Sequence, residues 1–331
     1  MRRREFITLL GGAAAGWPLA ARAQQAERVR RIGFLTFTNE IDQLIRGQTV
    51  LLEALAKLGW VEGRNLRIDV RGAAAIDQLR EYAAELVKLS PDVIVTSGAA
   101  PTIAAQQQTQ TIPIVIIGVG DPLAIGIVKS VARPEGNITG VTNAVFSIGS
   151  KWLELLKEAA PQINRVALLQ NTRLLRNPNA EIGYYPPIEE AARVLAVKAI
   201  RIPYRDAVEI ADGVGAFAAE RNGGLIVMPP PPTTTNTQVI IRLAAQHQLP
   251  AIYPTRYLVV AGGLMAYGTN TAVLLTRAAS FVDRILRGAK VSELPIEYPT
   301  TFELVINLKT AKALGLTISE SLLLRADAVI E

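Results

Sequence analysis

The run Thr96-Ser97-Gly98-Ala99-Ala100-Pro101-Thr102 has the composition of an anion cradle. It follows the apolar stretch Asp92–Thr96, Pro101 suits the first turn of a helix, and the small side chains leave backbone N–H groups uncovered. A helix start of this kind carries partial positive charge and holds a carboxylate well. The alternative is an ordinary N-cap, with Ser97 or Thr96 satisfying its own helix. The next apolar stretch, Pro113–Ile117, leads into Gly118-Val119-Gly120-Asp121-Pro122. As a dinucleotide fingerprint this fails, because Leu123 stands where the third glycine belongs and a proline interrupts the motif. Asp121 is either an N-cap ahead of Pro122 or an acid that pairs with a ligand ammonium. Equivalent positions later in the chain carry Gln170-Asn171-Thr172, Met228-Pro229-Pro230 and Tyr253-Pro254-Thr255. The adjacent pair Tyr184-Tyr185 opens a helical pattern, where packing is favoured over stacking on a ligand.

Catalytic chemistry is poorly provided for. His247 is the only histidine, and it falls late in the amphipathic segment Val239–Gln248, on the expected solvated face. No GxSxG elbow accompanies it. The chain has no cysteine, which excludes disulfides, thiolate metal sites, a cysteine nucleophile and a lipid-modified cysteine. Zinc lacks ligands, and no pair of carboxylates stands out. The expectation is a protein that is not an enzyme and uses no cofactor or metal.

The elements that position these residues follow from apolar patterning. Short β-type runs occur at Arg31–Phe37, Asn65–Val70, Asp92–Thr96, Pro113–Ile117, Arg165–Leu169, Val197–Ile202, Leu225–Met228 and Leu264–Tyr267. Several are continuously apolar, as strands covered on both faces of a parallel sheet must be. Between them lie amphipathic patterns. Leu44, Leu51, Leu55 and Leu58 share one helical face, closed by Gly59 as a C-cap. Glu81–Leu89, Trp152–Ala160, Ile188–Leu195 and Thr271–Arg287 read the same way. The order breaks over 134–150, a Gly/Asn/Thr-rich segment without clear periodicity, and a second strand–helix series starts at Arg165. Pro229–Pro232 is a stiff extended tract at a strand end. The expected class is α/β, with two doubly wound lobes of parallel sheet joined by a hinge.

The first 23 residues, MRRREFITLLGGAAAGWPLAARA, have the order of an export signal: charged, then apolar, then small. Arg3-Arg4-Glu5-Phe6-Ile7 favours the twin-arginine route over the general one, with cleavage after Ala23. The apolar run is about half the roughly 20 residues a membrane span needs. Removing the segment's four arginines and one glutamate leaves 31 basic and 28 acidic residues in the remaining 308. No basic cluster follows, which argues against nucleic acid as a partner.

The segments Arg31–Leu35, Leu58–Asn65 (LGWVEGRN), Ala83–Val87, Pro113–Val115 with Gly120-Asp121-Pro122, and Ala132–Val141 (ARPEGNITGV) together resemble a known family. So do Ala251–Tyr253, Ala261–Gly268 (AGGLMAYG) and Phe302–Leu316. They are similar to the periplasmic substrate-binding proteins of ABC transporters, among them tryptophan- and tyrosine-uptake components. The resemblance implies a type I periplasmic-binding fold, in which two Rossmann-like lobes joined by three crossing strands close over a small ligand. The first lobe would comprise 28–142 plus about 270–290, and the second 143–269 plus about 291–331. Across the cleft the first lobe would offer Thr36, Ser97, Gly98, Ala99 and Asp121, and the second Asn171, Pro229 and Tyr253. A periplasmic monomer is implied, without a lipid anchor, that delivers a small organic solute to a membrane permease. An aromatic or branched amino acid or a related carboxylate is the expected solute. A periplasmic sensor subunit of the same fold is the alternative. Two departures from the family's pattern, Met228 with four prolines and Pro254-Thr255-Arg256 after Tyr253, favour a less polar or differently charged ligand.

Overall fold

The computed structural model describes residues 28–38, 41–123, 125–134, 136–143, 145–172, 183–229 and 234–331. The export segment 1–23 and Pro230–Pro232 of the proline tract lie outside the described residues.

The first lobe is a five-stranded, all-parallel sheet of β1 (Arg30–Phe37), β2 (Leu66–Ala73), β3 (Val93–Ser97), β4 (Ile114–Val119) and β5 (Ile138–Thr142), ordered β2-β1-β3-β4-β5. Its strands are apolar on both faces because helices cover both. Ile32, Phe34, Val93, Val95, Val115 and Ile117 pack under α1 (Ile41–Lys57). The alternate residues Leu35, Ile94, Ile114 and Ile116 pack under α2 (Ile76–Lys88) and α3 (Ala99–Gln108). In α1 the stripe read from the sequence buries Leu51 and Leu55 completely, each contributing about 1.5–3 kcal/mol relative to exposure. The helix closes with Trp60 N–H donating to the Leu55 carbonyl at 3.0 Å across Gly59.

The aperiodic segment 134–150 hides a strand. β5 reads Ile-Thr-Gly-Val-Thr and is buried at every position, so it shows neither alternation nor an apolar run. Thr139 Oγ1 donates to the Leu294 carbonyl at 2.6 Å, and Thr142 Oγ1 to the Val119 carbonyl at 2.6 Å, which satisfies the buried hydroxyls.

The second lobe is a seven-stranded sheet of β6 (Arg165–Asn171), β7 (Lys198–Tyr204), β8 (Gly223–Val227), β9 (Ala251–Tyr253), β10 (Met265–Gly268), β11 (Glu303–Asn307) and β12 (Ala328–Ile330). The order is β12-β11-β10-β9-β8-β6-β7, parallel except where β11 runs against β10. One face carries α4 (Ile148–Ala159) and α5 (Tyr185–Val194), with the short α10 (Leu308–Ala313) and α11 (Glu320–Leu323) at its edge. The other carries α6 (Ala207–Ala218), α7 (Thr234–Gln246) and α8 (Arg256–Val260).

The chain crosses between lobes after β5, after β10 and before β11. After β10, α9 (Thr271–Leu286) returns to the first sheet, where Leu274, Ala278, Phe281 and Val282 join the core under β1 and β4. Residues 291–296 stay there as well: Leu294 and Ile296 are buried in first-lobe clusters. The return to the second lobe therefore falls after Glu297, past the boundary near 291 read from the sequence. Glu297 is laced onto β5, with Thr142 N–H donating to its carbonyl and its own N–H donating to the Gly140 carbonyl, both at 2.9 Å.

Candidate functional site

In a parallel sheet the carboxyl ends of the strands on either side of the switch in strand order form a crevice. In the first lobe those strands are β1 and β3, and Thr36 pairs with Ser97 in register at their ends. Ser97 in turn pairs with Ile117 of β4, just before Gly118–Asp121. Thr36, Ser97, Gly98, Ala99 and Asp121 are thus brought to one edge, each half-buried.

No side chain caps the start of α3, where Gly98 holds φ +90° and ψ 173°, a conformation only glycine adopts without strain. The Thr96 hydroxyl is engaged with Thr102 Oγ1 at 2.8 Å, and Thr102 Oγ1 with the Gly98 carbonyl at 2.8 Å. Among the described residues no side chain caps the N–H groups of this first turn. Asp121 starts a series of turns rather than a helix: its Oδ1 accepts from Leu123 N at 3.0 Å, and its carbonyl accepts from Ile125 N at 3.2 Å.

Across the crevice, Asn171 ends β6 and pairs in register with Tyr204 at the end of β7. Pro229 follows β8, and its carbonyl accepts from Gln170 Nε2 at 3.3 Å. Both are buried at the carboxyl edge of the second sheet. Tyr253 is not part of this surface. It is 1 % exposed and packs in the core beneath α7 and α8, its ring so close to Gly263 that a Cβ there would lie 2.6 Å from it. Strand parity decides this: Ala251 and Tyr253 point to the helical layer, and Ile252 to the opposite face.

Tyr184 packs, as favoured from the sequence, between Phe146 (5.1 Å, edge-on) and Trp152 (5.3 Å). Its hydroxyl donates to the Asn143 carbonyl at 3.4 Å. Burial first, and the Asp121 carboxylate of the other lobe second, push this phenol well above its ordinary value. His247 lies half-buried just past α7, at the end remote from the crevice.

Five buried side-chain polar atoms among the described residues have no hydrogen-bond partner. Asn143 Oδ1, Gln170 Oε1, Tyr204 OH, Thr237 Oγ1 and Thr255 Oγ1 are buried and accept or donate nothing. Stranding such a group costs about 1–3 kcal/mol. No local signal marks them, since what identifies them is the lack of a long-range partner.

The architecture is two α/β lobes of largely parallel sheet with three crossings of the chain between them. This chain belongs to the family of ABC transporter substrate binding proteins, whose model matches residues 38–330. A "Tyrosine-binding protein" of Clostridioides difficile (strain R20291) is 24 % identical over 278 residues, 84 % of this chain and 79 % of the relative. Among solved structures, a conserved domain protein from Vibrio cholerae superposes with a TM-score of 0.78 at 24 % identity, covering 91 % of this chain and 100 % of that one. An ABC domain from Streptococcus pneumonia in complex with L-Trp superposes with a TM-score of 0.77 at 22 % identity, covering 91 % and 99 %. The family binds ligands rather than transforming them. No helix among the described residues is long and apolar enough to cross a membrane.

Proposed function

We propose that this protein captures an amino acid or a related carboxylate between its lobes in the periplasm and delivers it to the membrane permease of an importer. The observation that carries the ligand class is the uncapped start of α3 beside Asp121. Bare N–H groups suit a carboxylate, and an acid on the neighbouring strand end suits an ammonium. The tyrosine in the relative's name and the L-Trp in the structural neighbour support the same class. An export signal over 1–23, cut after Ala23, supports the periplasmic location and with it the handover to a permease.

The lobes of this reading are 28–142 with 271–296, and 148–268 with 303–331. Closure is a hinge motion about the crossings between them, stabilised by contacts the ligand makes only in the closed state.

A thermal-shift screen of the purified protein tests this directly. Free amino acids, aromatic acids, short-chain carboxylates, nucleosides and sugars form the panel. At a hundred times its Kd a ligand adds about 2.7 kcal/mol of stability. A response confined to amino acids or carboxylates is expected. A response confined to sugars or nucleosides, or none at all, overturns the ligand class. Loss of uptake of the responding solute on deletion of the gene tests delivery, and unchanged uptake overturns it.

A further inference from the structure

Asn143 follows β5 directly and opens the first crossing of the chain between the lobes. Among the described residues, its Oδ1 is the unpartnered buried polar atom that stands on a crossing. Its place is fixed by contacts from both lobes. The Asn143 N–H donates to the Val119 carbonyl at 3.1 Å. The hydroxyl of the preceding Thr142 lies 2.6 Å from the Val119 carbonyl and 2.7 Å from that of Gly120. A Cβ on Gly118 would lie 3.9 Å from Asn143 Nδ2, so the amide lies over the start of the Gly118–Asp121 loop. From the second lobe, the Tyr184 hydroxyl donates to the Asn143 carbonyl at 3.4 Å.

Asp121 is brought to the same junction. The register of β4 on β5 shifts at Gly118, which holds φ +62°, and this bulge carries the strand end into the loop that Thr142 and Asn143 bind. The Asp121 carboxylate is near enough to Tyr184 to act on its phenol, although the two belong to different lobes. At Gly120, next to Asp121, a Cβ would meet nothing within 4 Å, so this flank of the loop is open.

Native folds leave few enclosed acceptors without a donor. The one at Asn143 stands beside a loop that carries a carboxylate, and an ammonium has three protons to give. One carboxylate and one neutral amide oxygen together match a single positive charge. We propose that Asn143 is a specificity-determining residue whose Oδ1, with the Asp121 carboxylate, takes the α-ammonium of an amino acid, and so selects it over the same carboxylate without its amine. This rests on the proposed reading that an amino acid or related carboxylate is held between the lobes.

The test uses pairs that differ only in the α-amine: L-phenylalanine against hydrocinnamate, L-tyrosine against desaminotyrosine, and L-leucine against isocaproate. Titration calorimetry on the wild-type protein should show the amino acid of the best-bound pair tighter than its partner by about tenfold or more. Asn143→Ala should weaken that amino acid about tenfold and leave its amine-free partner within about threefold. Asn143→Asp keeps an acceptor oxygen at the same place and should retain the preference for the amine. An amine-free partner that binds as well as the amino acid overturns the proposal, as does a preference that Asn143→Ala leaves unchanged. The ligand-free melting temperature of Asn143→Ala is a separate arm. It should stay close to that of the wild type, because the lost oxygen accepts nothing, and a fall of several degrees would show a structural partner and overturn the proposal. A response confined to sugars or nucleosides fells the ligand reading and this contact with it. Amino-acid binding that is indifferent to Asn143 fells the contact alone.

Discussion

The Trp60 indole N–H donates to the Asp283 carboxylate at 2.8 Å, joining residues 223 positions apart in the chain. Arg287, one turn on, donates to the Leu58 carbonyl at 3.0 Å and lies 5.6 Å from the Trp60 ring. These contacts seat α9, which arrives from the second lobe, on α1 of the first. Trp60→Phe keeps most of the apolar contact and removes one hydrogen bond to Asp283 Oδ1, which keeps the Arg287 Nε donor at 2.6 Å. A loss of about 1–2 kcal/mol is expected, read as a lower Tm by circular dichroism. An unchanged Tm would mean that this contact does not hold α9 in place.

Tyr253 is a core residue. Tyr253→Ala should destabilise the protein by about 3–5 kcal/mol, as for other large aromatics in packed interiors. Gly263→Ala should act in the same direction, because its new Cβ would meet the Tyr253 ring at 2.6 Å. Urea denaturation measures both. Full stability in Tyr253→Ala together with lost ligand binding would return the residue to the crevice.

Ser97 and Asp121 are proposed to hold the ligand's head. Ser97→Ala and Asp121→Asn should each weaken binding of the responding ligand by about 1–3 kcal/mol, with Tm little changed. Calorimetric titration decides this, and wild-type affinity in both variants would place the pocket elsewhere.

Acid should release one tie within the first lobe. Arg31 Nε donates to Asp69 Oδ2 at 2.7 Å, and this hydrogen bond holds the Asp69 carboxyl below the usual aspartate value. A carboxyl depressed in the folded state contributes stability that is present above its unfolded value of about 4 and is lost as pH falls through the lower folded value. Asp69→Asn should therefore lower Tm at pH 7, and the gap to wild type should shrink steadily below pH 4. A gap that is constant with pH would assign the loss to packing instead.

The strand ends were legible because their surroundings are local in origin. Asp92–Thr96 and Pro113–Ile117 are continuously apolar, which only doubly covered strands require, and the loops after them are short and small. β5 was not legible, because its threonines are buried on bonds to Val119 and Leu294 that no local pattern announces. Tyr253 was misplaced for a related reason. Its position at a strand end was read correctly, but a three-residue strand carries too little alternation to tell which face its last side chain takes.

The sequence by itself determined the α/β class, the family and the strand-end loops that could meet a ligand, since each depends on residue type and short-range spacing. The tertiary structure alone decided that residues 291–296 pack on the first lobe, that α3 begins without a cap, and that Tyr204 and Thr237 are buried without partners. Each of these depends on which distant group arrives beside a residue. Hydrogen bonding and burial are set by that arrival, and the spacing of neighbours along the chain does not encode it.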